Sequence, residues 1–115
     1  MKVIGKMEKK KEKEYFNFKN GKREGKGILY YSQNDYYKRK KYEGDFRNGK
    51  REGKGILYWN DGEIYEGDFK YDLREGKGIH YFNNGDREMG DYLIDKQIGI
   101  HAKLYPNGNV SITKY

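Results

Sequence analysis

From Tyr15 onward, apolar and polar residues alternate with a period of two, interrupted at regular intervals by clusters of glycine, asparagine and charge. In Tyr42-Glu-Gly-Asp-Phe46, residues 42, 44 and 46 share one face while Glu43 and Asp45 share the other, which is the signature of a half-buried strand. Glycine between two aromatics leaves room for a neighbouring ring to lie against the backbone. The following Arg47-Asn-Gly-Lys-Arg-Glu-Gly53 reads as loop chemistry, with Asn48-Gly49 supplying positive φ cheaply. A second strand, Gly55-Ile-Leu-Tyr-Trp59, runs into the turn Asn60-Asp-Gly62. The unit is one β-hairpin, and a hairpin alone is not stable in water.

The hairpin repeats. Gly44, Gly67 and Gly90 are 23 residues apart, and so are Phe46, Phe69, Tyr92 and Tyr115. Tyr-Glu-Gly-Asp-Phe at 42–46 returns at 65–69 and, altered, as Glu-Met-Gly-Asp-Tyr at 88–92; Arg-Glu-Gly-Lys-Gly stands at 23–27, 51–55 and 74–78. A fixed period of this size predicts stacked units. The expected fold is all-β, an elongated, twisted antiparallel meander of about four stacked hairpins. Copies fall near 15–41, 42–64, 65–87 and 88–110, with a partial copy at 111–115. The later second strands end in the turns Asn83-Asn-Gly85 and Pro106-Asn-Gly108. The first copy carries five extra residues within Ser32–Lys41, read as a longer basic loop, and the last keeps only Gly99 of the loop pattern. Residues 1–14 read as a solvated tail or a short helix, with Val3, Ile4 and Met7 at helical spacing before a charge run.

Composition changes this picture in two ways. The chain is 34% hydrophobic and 37% charged, a balance that ordinarily marks disorder, but its 17% aromatic content, with 13 Tyr, recurs in register with the glycines. Large rings bury much apolar area while fixing few torsions, so a ladder of them can hold a thin structure together. The net charge of +7 is also uneven: residues 1–41 hold 14 Lys/Arg against 5 Asp/Glu, and residues 42–115 hold 11 against 13. Basic character is therefore an N-terminal property. The absence of cysteine removes disulfides and thiolate zinc sites. No apolar run reaches membrane-spanning length, no signal-peptide core is present, and Lys2 excludes N-myristoylation, so a cytoplasmic protein is expected, associated in the alternative with cytoskeleton or membrane.

The order Tyr-Glu-Gly-Asp-Phe, then Asn-Gly-Lys-Arg-Glu-Gly-Lys-Gly, then a turn with Asp-Gly or Asn-Gly, resembles the MORN repeat over residues 15–110. The resemblance implies an elongated sheet with stacked aromatic and glycine positions. It also implies scaffolding or targeting modules, found in membrane-junction, cytoskeletal and ciliary proteins, some attached to enzymes and several proposed to bind anionic lipid. The chain departs from the pattern at Phe16, Glu88, Met89 and Ile100.

Material for catalysis is scarce. Serine occurs only at 32 and 111, histidine only at 80 and 101 and cysteine nowhere, so a Ser/His/Asp or Cys/His arrangement has almost no material to be built from. His80 aligns with Lys103 and His101 with Gly78, which we read as placing the two rings on opposite strand faces and against a shared metal. Gly21-Lys-Arg-Glu-Gly-Lys-Gly27 is one residue short of a phosphate loop and lacks its Ser or Thr, so a hairpin loop is the better reading. The pairs Glu43/Asp45 and Glu66/Asp68 recur beside Lys and Arg, as cross-strand ion pairs would. No catalytic residue, metal or cofactor is expected.

Two surfaces remain. Arg23/Lys26, Arg51/Lys54 and Arg74/Lys77 recur once per hairpin, a cationic rail at a pitch of roughly 10 Å, suited to an anionic partner unless Glu24, Glu52 and Glu75 neutralise it. Lys9, Lys10 and Lys11, with Lys38, Arg39, Lys40 and Lys41 of the insertion, flank the rail. The second surface is apolar. Leu57 and Trp59 should join Tyr42 and Phe46 in the core, leaving Ile56 and Tyr58, with Ile28, Tyr30, Ile79, Tyr81, Ala102 and Leu104, on the other face. Unless sheet twist buries it, that stripe is the expected protein-binding face. The expected function is a non-catalytic scaffold mediating protein association, cytoskeletal or ciliary. The alternatives are a peripheral membrane adaptor using the basic N-terminal half, or a regulatory fragment of a larger enzyme. Nucleic acid ranks last because positive charge fades after residue 41, and no small-molecule substrate is expected.

Overall fold

In the computed structural model, which describes the backbone of 15–19 and all of residues 21–115, every described stretch of regular structure is β-strand. The strands are β1 (Tyr15–Lys19), β2 (Lys22–Tyr30), β3 (Arg39–Arg47), β4 (Lys50–Trp59), β5 (Ile64–Lys70), β6 (Leu73–Tyr81), β7 (Arg87–Leu93), β8 (Lys96–Leu104) and β9 (Val110–Lys114). They form one antiparallel sheet in sequence order, four hairpins and a ninth strand at the far edge. Principal extents of 46 × 28 × 23 Å and a radius of gyration of 15.7 Å, against about 13 Å for a compact domain of this length, make it an elongated array. The tail expected over residues 1–14 lies outside the described residues, and Lys9, Lys10 and Lys11 with it.

The hairpin loops are shorter than the sequence suggested. Asn48-Gly49 alone makes the tip between β3 and β4, with Asn48 at φ 53° and Gly49 at φ 81°. The polar Arg-Glu-Gly-Lys-Gly segments are strand, because both neighbouring strands supply backbone partners. Between Gly44↔Gly55 and Phe46↔Arg51, the three residues Glu52, Gly53 and Lys54 of β4 oppose Asp45 alone of β3, and Gly53 at φ 78° absorbs the extra length as a bulge. Gly25, Gly76 and Gly99 hold the same conformation in the other copies. At the next two tips the Asn-Gly pair is replaced by Tyr71-Asp72 and Ile94-Asp95, with φ between 48° and 69° on all four residues.

One face carries the core. Tyr42, Phe46, Leu57, Tyr65, Phe69 and Tyr92 are buried, with Leu29, Tyr31 and Trp59 packed against them. The rings meet edge to face along the array: Tyr42 to Phe46 and Phe69 at 5.1 and 5.2 Å, Tyr65 to Phe69 and Tyr92 at 5.3 and 5.2 Å. Tyr42 and Tyr65 each lie over a pair of facing glycines. A Cβ on Gly44 or Gly55 would collide with Tyr42, and one on Gly67 or Gly78 with Tyr65. The Tyr42 hydroxyl donates to the Asp45 carbonyl at 2.9 Å and that of Tyr65 to the Asp68 carbonyl at 3.1 Å. Burial pushes both phenols above their ordinary value, so they remain donors.

The fourth copy builds the same slot from the opposite strand. Glu88 stands where Tyr42 and Tyr65 stand, and His101 where Gly55 and Gly78 stand. The His101 ring fills the space over Gly90, and its Nε2 is 2.9 Å from the Asp91 carbonyl. Its Nδ1 is 2.9 Å from Glu88 Oε2, off the line of a good hydrogen bond, and the Tyr115 hydroxyl donates to the same oxygen at 2.9 Å. His80 lies on this face too, 2.8 Å from Glu63 and stacked between Trp59 and Phe82. The two histidines therefore share a face, contrary to the opposite faces read from the sequence, because 78 and 80 have the same parity in β6. Each is committed to its own glutamate.

Candidate functional site

The cationic rail is built as spaced but is neutralised where it stands. Lys26 Nζ is 2.7 Å from Asp45, Lys54 2.6 Å from Asp68, and Lys77 3.6 Å from Asp91, each across to the next strand. Arg51 and Arg74 turn to the tips of the following hairpins, where Asp72 and Asp95 accept from the guanidinium through both carboxylate and backbone carbonyl. The glutamates expected to neutralise the rail do something else: Glu24 accepts from the Asn48 amide, Glu52 from that of Tyr71 and Glu75 from that of Ile94. They tie each hairpin tip to the next. The exposed lysine pairs contribute little stability individually, but they spend the rail's charge locally.

Several cations without an ion pair among the described residues lie at the hairpin tips instead. Lys22, Arg47, Lys50, Lys70 and Lys96 are exposed along one long edge. Between them project Tyr71, Leu93 and Ile94, which are 66%, 46% and 63% exposed. Nothing in the sequence marks this edge, because Tyr-Asp and Ile-Asp are not expected to adopt a left-handed tip.

The second face carries two rows through the hydrogen-bonded partners. One runs Ile28, Glu43, Ile56, Glu66, Ile79, Met89, Ala102, Ile112; the other runs Tyr30, Lys41, Tyr58, Ile64, Tyr81, Arg87, Leu104, Val110. In the first three copies these residues are mostly half-buried and chemically occupied. Tyr58 donates to Glu43, Tyr81 to Glu66, and Lys41 pairs with Glu43 at 3.1 Å while lying over the Tyr58 ring. Past Ile79 these two rows carry no acid, and Met89, Val110 and Ile112 stand exposed, with Ile100 exposed in the adjoining row. Those four were absent from the expected face, although Val110-Ser-Ile112 shows the alternation that would have found two of them.

The insertion is ordered around Asp35. Its carboxylate accepts the amides of Tyr37 and Arg39 and binds the Arg39 guanidinium at 2.9 and 2.8 Å. These bonds, the Arg39 side chain's first, hold the Asp35 carboxyl down at about 2. Arg39, Lys40 and Lys41, expected in the loop, belong to β3, and only Lys38, at φ 60°, is loop. Arg39 lies 4.1 Å over the Tyr31 ring. Between the insertion and the sheet is a cleft of about 320 Å³, lined in part by Tyr30, Tyr31, Ser32 and the cations Arg39, Lys40 and Lys41.

No three His, Cys, Asp or Glu side chains among the described residues are placed to share a metal ion. Stacked hairpins, a glycine-seated aromatic ladder and surfaces that recur with the period define a repeat-array protein. Residues 17–36, 42–64 and 65–87, more than half of the chain, match the MORN repeat, and the chain belongs to that family. Among curated proteins, none matches it.

Proposed function

We propose that this chain is a non-catalytic interaction module whose docking surface is the C-terminal end of the second face, and that its partner there is another protein chain. One observation carries the reading: Ile100, Val110 and Ile112, on the outermost two strands, are 65%, 58% and 64% exposed on one face. Contiguous exposed aliphatics on two neighbouring strands present an apolar area that another protein chain can cover. The half-buried Ile28, Tyr30, Ile56, Tyr58, Ile79 and Tyr81 extend this surface along the array. Cytoskeletal or ciliary scaffolding in the cytoplasm is the setting the family resemblance supports. The test is the solution mass of the 13.7 kDa chain with a parallel pull-down, for wild type and for Ile100→Lys/Ile112→Lys. The expected result is a dimer or a captured partner that the double variant loses with its circular dichroism unchanged. A monomeric wild type that retains no protein overturns the reading.

A second reading rests on the tip edge: unpaired lysines around exposed Tyr71, Leu93 and Ile94 suit an anionic membrane surface. It transfers the anionic partner from the rail to the hairpin tips.

A further inference from the structure

On the core face, at the ends of the hairpins opposite the tips, rings and basic groups alternate. The Arg39 guanidinium lies 4.1 Å over Tyr31 and 5.1 Å over Tyr37. His80 stacks between Trp59 and Phe82, with ring centroids 5.5 and 4.5 Å away. The Lys103 ammonium lies 4.7 Å over Phe82 and 5.6 Å over Tyr105. Each basic group also has a carboxylate: Asp35 is 2.8 Å from Arg39, Glu63 2.8 Å from His80 and Asp86 3.6 Å from Lys103. A basic group between two rings, with an acid beside it, is thus the recurring unit here, and cation–ring and cation–carboxylate attraction act together in it. Between Tyr37 and Trp59 the pattern changes. Among the described residues no cation lies over both rings, and they wall a cavity of about 600 Å³ instead. Asp61 and Glu63 are on its walls, with Lys38 as the one ammonium. Asp61 accepts the Glu63 amide through Oδ1 at 2.9 Å, and Glu63 meets His80 through Oε1 at 2.8 Å, so each carboxylate keeps a second oxygen to offer.

We propose that this cavity receives an arginine side chain of a partner protein, its guanidinium between Tyr37 and Trp59 and its N–H groups donating to Asp61 and Glu63. The chain's own Arg39 shows the same chemistry one ring away, between two tyrosines with Asp35 beside it. A planar guanidinium stacks on rings and donates to two acceptors at once, whereas the lysine ammonium is a more strongly hydrated point charge. Tyr37 is 63% exposed, and Lys38 and Asp61 are exposed too, so a side chain carried on another protein can reach the cavity. Lys38 opposes the incoming charge, one ammonium against two carboxylates. The five extra residues within Ser32–Lys41 belong to the loop that brings Tyr37 opposite Trp59, so the later copies have no counterpart of the site. It uses neither the apolar docking face nor the hairpin tips, and stands or falls separately from both.

Trp59 is the only tryptophan of the chain, so its indole N–H resonance reports on the cavity directly. The whole chain is titrated with a capped Gly-Gly-Arg-Gly-Gly peptide, with the same peptide carrying lysine or the neutral isostere citrulline instead of arginine, and with free arginine. The expected result is a saturable Trp59 shift with the arginine peptide, roughly fivefold weaker binding of the lysine peptide, and no saturable shift with the citrulline peptide. Tyr37→Leu, which keeps bulk but removes the ring, and Asp61→Asn should each weaken binding about fivefold, whereas Lys38→Gln should tighten it about twofold. All three side chains are exposed, and backbone amide resonances unchanged away from the cavity verify that each variant is folded. Free arginine binding more weakly than the peptide identifies a residue within a chain; free arginine binding as tightly or more tightly identifies the amino acid as ligand and overturns the protein partner. The proposal is also overturned if no peptide shifts Trp59, if the lysine or citrulline peptide binds as tightly as the arginine peptide, if Lys38→Gln weakens binding, or if Tyr37→Leu and Asp61→Asn leave it unchanged.

Discussion

Tyr42 and Tyr65 each need two glycines beneath them, and the fourth copy shows what replaces that arrangement. Placing Glu at the tyrosine position and His at the second glycine position keeps one ring over Gly90 and one bond to the Asp91 carbonyl. The exchange has a third member. Tyr115, one period on from Tyr92, supplies the hydroxyl that Glu88 needs once buried to 6% exposure. Gly78→His alone should collide with the Tyr65 ring and cost about 3 kcal/mol. Tyr65→Glu/Gly78→His should recover at least about 1 kcal/mol of that, because Tyr92 stands to Glu at 65 as Tyr115 stands to Glu88. The same double exchange at Tyr42 and Gly55 meets Phe69, which has no hydroxyl, and should recover less. Urea denaturation of the two double-mutant cycles measures both couplings. Equal recovery at the two sites would show that the third residue is irrelevant.

Among the elements, the insertion is the one whose order depends on a single side chain. Asp35 is depressed from 3.8 to about 2 by its bonds from Arg39. A carboxyl whose value falls on folding contributes stability above its unfolded value, and that contribution is lost as pH falls through the folded one. The Tyr37 and Arg39 amides should therefore keep their exchange protection at pH 4 and lose it as pH approaches 2, while Asp35→Asn should lower it at every pH. Protection indifferent to both changes would mean that packing, not Asp35, orders the segment. This element also shows why part of the architecture was legible and part was not. Tyr42, Phe46 and Leu57 could be assigned to the core because alternation fixes a strand's faces. Lys50–Lys54 looked like loop because a polar, glycine-bearing run gives no such alternation, although cross-strand Lys–Asp pairs and a glycine bulge keep it in the sheet. Likewise Lys38–Lys41 announced charge correctly, but nothing in the sequence revealed that Asp35 and Glu43 would take two of the cations.

Across the whole molecule, twist limits what a flat partner can touch. Successive strands rotate by roughly 20–25°, so hairpin tips two strands apart differ by about 45° and tips at opposite ends by well over 90°. A plane can meet two neighbouring tips but not four. Among the described residues, the neighbouring pair of tips carrying exposed apolar residues is Tyr71 with Leu93 and Ile94, and Lys70 and Lys96 flank it. Holding a β-branched residue at φ 48° costs about 1–2 kcal/mol, and asparagine tolerates that conformation better. If this edge meets a membrane, Ile94→Asn should move two observables in opposite directions. Stability to urea should rise by about 1 kcal/mol, while sedimentation with phosphatidylserine vesicles should fall severalfold, and about tenfold or more when combined with Tyr71→Ser. Lys54→Gln, which removes a rail cation already paired with Asp68, should change vesicle binding less than twofold. Equal losses from rail and tip variants would return the anionic partner to the rail. Higher stability with unchanged vesicle binding would leave the strained tips without a membrane role.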